Sequence, residues 1–181
     1  QKLCQKHFGA DFYFMKEDSF YRLVSDVKPD LIRTEADEFT YCLHIIIRYE
    51  IERDLINGLI APKEVPAIWN RKYREYLGVE VPNDTQGVLQ DVHWSEASFG
   101  YFPTYALGNM YGAMILNRMK EDLPFEKLLA SSDLSPIKKW FIDHDFPYDY
   151  LPASEWLMEV TGREFASGDY IAYLKDRYLP A

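Results

Sequence analysis

Leu43, Ile47, Ile51 and Leu55 step by four along the chain. That spacing lines one face of an α-helix with apolar side chains. Beside them runs a second row, Asp37, Tyr41, His44, Arg48 and Glu52, stepping by four, three, four and four. The pattern predicts one long helix from about Thr34 to Asn57, with Gly58 as its C-terminal stop. This helix has an apolar face for a core and an adjacent face of hydrogen-bonding side chains.

The same spacing predicts helices through most of the remainder. Pro66 suits a first turn and opens a helix running to Leu77, where Gly78 stops it. A helix from Thr104 to Glu121 carries Leu107, Met110, Tyr111, Met114 and Ile115, and Leu123-Pro124 restarts a short one to Ala130. Ser135-Pro136 reads as cap and first turn of a helix ending near Asp143. Two more run over Ala153–Val160, closed by Gly162, and Gly168–Tyr178. Upstream, residues 1–8 read as a helix end stopped by Gly9. Asp18 is the expected cap of a helix over Ser19–Asp26, which Lys28-Pro29 breaks. Phe146–Pro152 is an aromatic loop. No alternating strand of useful length, repeat or low-complexity segment interrupts this pattern. The fold class is all-α, in one domain or part of one.

Charge narrows the partners. The 181 residues carry a formal net charge of −9 and no basic block, which excludes the clustered Lys and Arg that phosphate backbones require. Cys4 and Cys42 make no disulfide framework and point to a reducing compartment, so a cytoplasmic location is expected. No apolar run approaches the roughly 18 residues of a membrane span. The chain opens on Gln with mid-domain sequence and no signal-peptide pattern, which suggests a piece of a longer polypeptide.

The densest chemistry lies between Gly87 and Asn109. Gln90, Asp91, His93, Trp94, Tyr101 and Tyr105 are close together there, broken by Gly100 and Pro103. Hydrogen-bonding side chains on a loop between helices suit a binding or catalytic site. They equally suit an amphipathic loop whose aromatic rings pack while their polar tips find partners. Ser95 and Ser98 stand near His93, but no Gly-x-Ser-x-Gly elbow is present. None of His7, His44, His93 and His144 belongs to an H-E-x-x-H pair, so that zinc motif is absent. Asp143-His144-Asp145 reads as a solvated helix end. Arg33 reads either as an i,i+4 partner of Asp37 or as a guanidinium fork for a carboxylate ligand.

Three segments together resemble one family, the carboxypeptidase Taq zinc metallocarboxypeptidases. Ile32-Arg33-Thr34-Glu35-Ala36-Asp37 fits the motif I-R-x-x-A-D. Gly87 to Trp94 fits G-x-x-Q-D-x-H-W, and Phe99 to Asn109 continues the match. The resemblance implies an all-helical metallopeptidase, considerably longer than this chain and usually a homodimer. It implies a zinc that activates water in the complete enzyme, with ligands that precede the I-R-x-x-A-D motif. The chain thus resembles the C-terminal third or so of such an enzyme, without the missing N-terminal part. No metal ligand and no bound zinc are expected of it, nor activity in isolation. Three positions depart from the family pattern: Glu96-Ala97, where small residues are common; Met114, where Gln is common; and the Phe146–Pro152 loop.

What the resemblance implies for the residues is specific. His93 and Tyr105 would be donors to the oxyanion of the tetrahedral intermediate, with Tyr101 a further phenol on the substrate side. Arg33 would hold the free C-terminal carboxylate of a peptide substrate and Gln90 its backbone. Asp91 would orient a neighbour. The alternative is a non-catalytic helical module of the same ancestry, used for interaction or dimerisation.

Overall fold

The computed structural model describes residues 2–8 and 16–179. Among them the order is α1 (Lys2–Phe8), α2 (Glu17–Val24), α3 (Tyr41–Ile56), α4 (Val65–Leu77), α5 (Pro103–Asp122), α6 (Phe125–Ser131), α7 (Ser135–His144), α8 (Ala153–Thr161) and α9 (Gly168–Tyr178). No strand occurs among these residues, so the all-α expectation holds. The chain divides into two compact units, Gln1–Phe102 and Pro103–Ala181.

In the first unit α3 packs on α4. The predicted stripe supplies Ile47 and Ile51, both fully buried, flanked by half-buried Leu43 and Leu55. From α4 come Val65, Trp69, Tyr73 and Leu77, also four apart and all buried. Each fully buried side chain of this size contributes about 1.5–3 kcal/mol relative to exposure. Gly78 ends α4 at φ 68° and Gly58 follows α3 at φ 70°, left-handed values that glycine adopts at little cost.

Two helix starts differ from the sequence reading. The long helix begins at Tyr41, with only a short 3-10 turn over Arg33–Glu35 before it. Asp37 explains the shift: its carboxylate accepts from the Thr40 amide at 2.9 Å, the Thr40 hydroxyl at 3.0 Å and the Lys28 amide at 3.0 Å. A short acceptor side chain offers the backbone a folded alternative to helix. The second difference is α2, which starts at Glu17 with Lys16 at the capping position, so Asp18 lies inside the helix. The expected stop at Gly9 falls outside the described residues.

In the second unit α5 packs on α8 and α9. Met119, Trp140 and Val160 form one buried cluster. Met114 is fully buried, and its thioether sulfur lies 3.5 Å from the Ala166 amide. Met114 is therefore a core position of the unit. Trp140 and Trp156 each donate an indole N–H to a carboxylate, Asp122 and Asp145, both at 2.8 Å. The 3-10 turn Phe146–Tyr148 lies inside the predicted aromatic loop.

Candidate functional site

The loop from Gly87 to Phe102 lies along the polar row of α3. A Cβ on buried Gly87 would sit 2.7 Å from Val81 Cγ1 and 3.0 Å from the Asn83 carbonyl oxygen. Only glycine allows that approach. The turn it opens faces Gln90 and Asp91 toward α3, while Leu89 and Val92 are exposed.

Asp91 is the electrostatic centre. Its Oδ1 accepts from Arg33 Nε at 2.9 Å and Nη2 at 2.8 Å. Its Oδ2 accepts from Arg48 Nε at 2.7 Å and Nη2 at 2.6 Å. Burial alone would raise the Asp91 carboxyl, but Arg48 and Arg33 outweigh it and hold the group below its ordinary range. Burial pulls the other way on Arg33, and the bonds to Asp91 and Tyr41 prevail to raise its guanidinium. Arg33 Nη1 donates to the Tyr41 hydroxyl at 3.1 Å. The i,i+4 partner suggested by sequence, Asp37, serves Thr40 and Lys28 instead. The carboxylate held by the Arg33 fork in this chain belongs to Asp91.

Gln90 completes the fastening. Its Oε1 accepts from the Arg33 amide at 2.9 Å and from Arg48 Nη2 at 2.8 Å. Its Nε2 donates to the Leu31 carbonyl at 3.0 Å and the Gln86 carbonyl at 2.9 Å. All four hydrogen-bonding positions of the amide are thereby used. Arg48 is 0 % exposed. It also donates to the His44 carbonyl at 2.8 Å and to the Tyr73 hydroxyl at 3.3 Å. Its guanidinium carbon lies 4.6 Å from the Trp69 ring centroid and 5.6 Å from that of Phe102, within cation–π range.

His44 sits beneath this network, fully buried, with Nδ1 3.1 Å from the Tyr73 hydroxyl. Among the described residues its Nε2 has no hydrogen-bond partner. Burial, then the charges of Arg48 and Arg33, lower its pKa to about 4, so it is neutral at pH 7.

The aromatic part of the loop follows. The Trp94 indole meets Trp69 and Phe102 edge-on at 6.2 and 5.9 Å. It donates to Glu52 Oε2 at 2.8 Å. Half-buried His93 packs on Phe102 at 4.4 Å between ring centroids and lies 5.9 Å from exposed Tyr101. The Ser95 hydroxyl donates to the Val92 carbonyl at 2.7 Å, which uses its single hydrogen. Exposed Glu96 donates its amide to the Val92 carbonyl at 3.0 Å, and Ala97 stands at φ 58°. That left-handed value is disfavoured for a residue with a Cβ. Tyr105 belongs to the second unit, half-buried in the first turn of α5.

Of the residues chosen from sequence, Arg33 and Gln90 meet directly, and His93 and Tyr101 are neighbouring rings. Arg48 and Glu52 were visible as part of the polar row, but nothing in their spacing showed that the row receives this loop. Trp69 and Tyr73 lay unremarked inside the helix predicted from Pro66 to Leu77.

Among the described residues no group of three or more His, Cys, Asp or Glu could hold a metal ion. No helix among them is long and apolar enough to cross a membrane. Residues 1–178 match the carboxypeptidase Taq (M32) metallopeptidase family. Carboxypeptidase 1 of Bacillus subtilis is 42% identical over 180 residues, covering 98% of this chain and 36% of its own length. Thermostable carboxypeptidase 1 of Thermus thermophilus is 39% identical over 163 residues, covering 89% of this chain and 32% of its own. The solved structure of Trypanosoma cruzi metallocarboxypeptidase 1 superposes with a TM-score of 0.92 at 38% identity, covering 98% of this chain and 38% of that one. These features define a helical portion of a metallocarboxypeptidase fold. The chain belongs to the carboxypeptidase Taq (M32) family and spans about a third of the length of the relatives it matches. The described residues do not by themselves fit the metal that the family name implies.

Proposed function

We propose that this chain forms the substrate-facing portion of a metallocarboxypeptidase that removes C-terminal amino acids from peptides. One observation carries the reading. The two family motifs are a single hydrogen-bonded unit, with Gln90 and Asp91 of one fastened to Arg33 of the other and to Arg48 of α3. A site whose supporting groups are locked in this way is preorganised, and preorganised dipoles stabilise developing charge at no reorganisation cost.

Peptide hydrolysis builds negative charge on the former carbonyl oxygen. His93 and Tyr105 supply N–H and O–H donors for it, and Tyr101 adds a phenol on the exposed side of the loop. Arg33 anchors the terminal carboxylate, its guanidinium plane set by Asp91. Gln90, with its amide committed to four groups of the chain, positions Arg33 and Arg48 rather than holding peptide. A homodimer enters from the family resemblance, and a cytoplasmic location from a sequence without a disulfide framework.

The test is a hybrid. Residues 1–178 replace the matching third of the Bacillus subtilis relative, and release of C-terminal amino acids from blocked dipeptides is measured. The metal-loaded hybrid is expected to turn over. A folded, metal-loaded hybrid without turnover contradicts the reading.

A further inference from the structure

Glu52 is a buried carboxylate, 6 % exposed, and among the described residues it has no ion-pair partner. Removing a carboxylate from water without a cation is costly unless its oxygens are hydrogen-bonded. Both are. Oε2 accepts from the Trp94 indole at 2.8 Å, and Oε1 accepts from the Gly100 amide. These donors stand at opposite ends of one short segment: Trp94 follows His93, and Gly100 precedes Tyr101. Between them the chain closes on itself, with the Ser98 amide donating to the His93 carbonyl at 2.8 Å and the Ala97 amide to the Trp94 carbonyl at 3.2 Å. Gly100 stands at φ 79°, and a Cβ on it would meet nothing within 4 Å. Glycine is suited there by backbone direction rather than by crowding.

We propose that Glu52 is a positioning residue, a clasp that joins both ends of the 94–100 segment to α3 and so sets the His93 imidazole against the substrate. Its action on catalysis rests on the functional reading above; the clasp itself does not. The chemistry is particular to a carboxylate. Two N–H donors arrive at two oxygens, and a Gln in the same place presents an NH2 group to one of them. Asp91 and Glu52 divide the work. Asp91 takes the two arginines before His93, and Glu52 takes two neutral donors after it.

The experiment has two arms. In the 181-residue chain, hydrogen exchange of the Gly100 amide and the Trp94 indole N–H is followed by NMR in wild type and Glu52→Gln. Both should exchange at least about tenfold faster in the variant, the change expected from losing a charge-assisted bond. Amides of α4 report global opening and should change less. In the Bacillus subtilis hybrid, Glu52→Gln should lower kcat about 10–100-fold with KM within about threefold, a range set by one to two lost hydrogen bonds. It should cost little further in a His93→Ala background, because its effect runs through His93. If Glu52→Gln does not fold, Trp94→Phe removes one donor alone and should reproduce a smaller kcat loss, again absent with His93→Ala. Unchanged Gly100 and indole exchange in the variant overturns the clasp. A kcat loss of equal size with and without His93 overturns its action through that residue. An inactive wild-type hybrid counts against the functional reading, while the exchange arm still decides the clasp.

Discussion

Asp91 and Arg48 meet at one oxygen: Nε and Nη2 of the arginine both donate to Oδ2, at 2.7 and 2.6 Å, with the guanidinium wholly buried. Arg33 takes the other oxygen in the same manner. One carboxylate therefore compensates two interior cations. Asp91→Asn keeps the shape and removes the charge, leaving two buried guanidinium groups short of a partner. Breaking a buried pair of this kind costs about 3–5 kcal/mol. Urea denaturation should show that loss; a change below about 1 kcal/mol, the worth of an exposed pair, would mean that water screens the network.

His44 makes stability depend on pH. Its folded pKa of about 4 lies below the ordinary histidine value of 6.5. The unfolded chain therefore binds the proton first as pH falls, and the stability present above about 6.5 is lost toward pH 4. Between pH 7 and 4.5 the loss is on the order of 2 kcal/mol. The Asp91 contribution also falls with acid, beginning near the ordinary carboxylate pKa of about 4 and so mostly below this window. His44→Gln keeps an acceptor for Tyr73 and should flatten the dependence. Equal pH slopes in wild type and variant would show that His44 does not cause it.

The left-handed backbone at Ala97 gives a stabilising substitution. A non-glycine residue at φ 58° carries a cost of about 1–2 kcal/mol, partly offset by the entropy that a glycine loses on folding. Ala97→Gly should raise stability by about 0.5–1 kcal/mol. Gly100→Ala, at φ 79°, should lower it by about 1 kcal/mol or more. Thermal melting of both variants checks the pair, and a destabilised Ala97→Gly would contradict this account of the loop.

How far the sequence could be read depended on the range of the interaction. Helical spacing located α3 to α9 because the stripe of Ile47 and Ile51 is a local signal. The polar row Asp37, Tyr41, His44, Arg48 and Glu52 was equally visible as a face. What it receives was not, because Asp91 lies 43 residues beyond Arg48 and no local period encodes that pairing. The start of the long helix was misplaced for a related reason: Asp37 competes for backbone donors, a choice that propensity does not decide. Arg33 looked like a partner for Asp37 at helical spacing. Once that segment became a 3-10 turn and loop, the pairing across one helical turn was gone.

Arg33 bears on substrate choice. In the hybrid carboxypeptidase, Arg33→Ala should weaken cleavage of peptides with a free C-terminus by roughly 2–5 kcal/mol, the cost of breaking a buried charge pair. Amidated peptides should be affected far less. Equal losses on both substrates would confine Arg33 to its structural bonds with Asp91 and Tyr41.

Whether this chain supplies the substrate-facing donors is read from kcat of the metal-loaded hybrid. Tyr105→Phe removes a hydroxyl and almost no volume; His93→Ala removes the imidazole. Each should lower kcat by about 10²–10³, with a smaller effect on KM, as for other lost oxyanion donors. Metal content should stay at the level of the unsubstituted hybrid. Undiminished kcat in both variants would contradict the account and leave His93 and Tyr105 as packing residues.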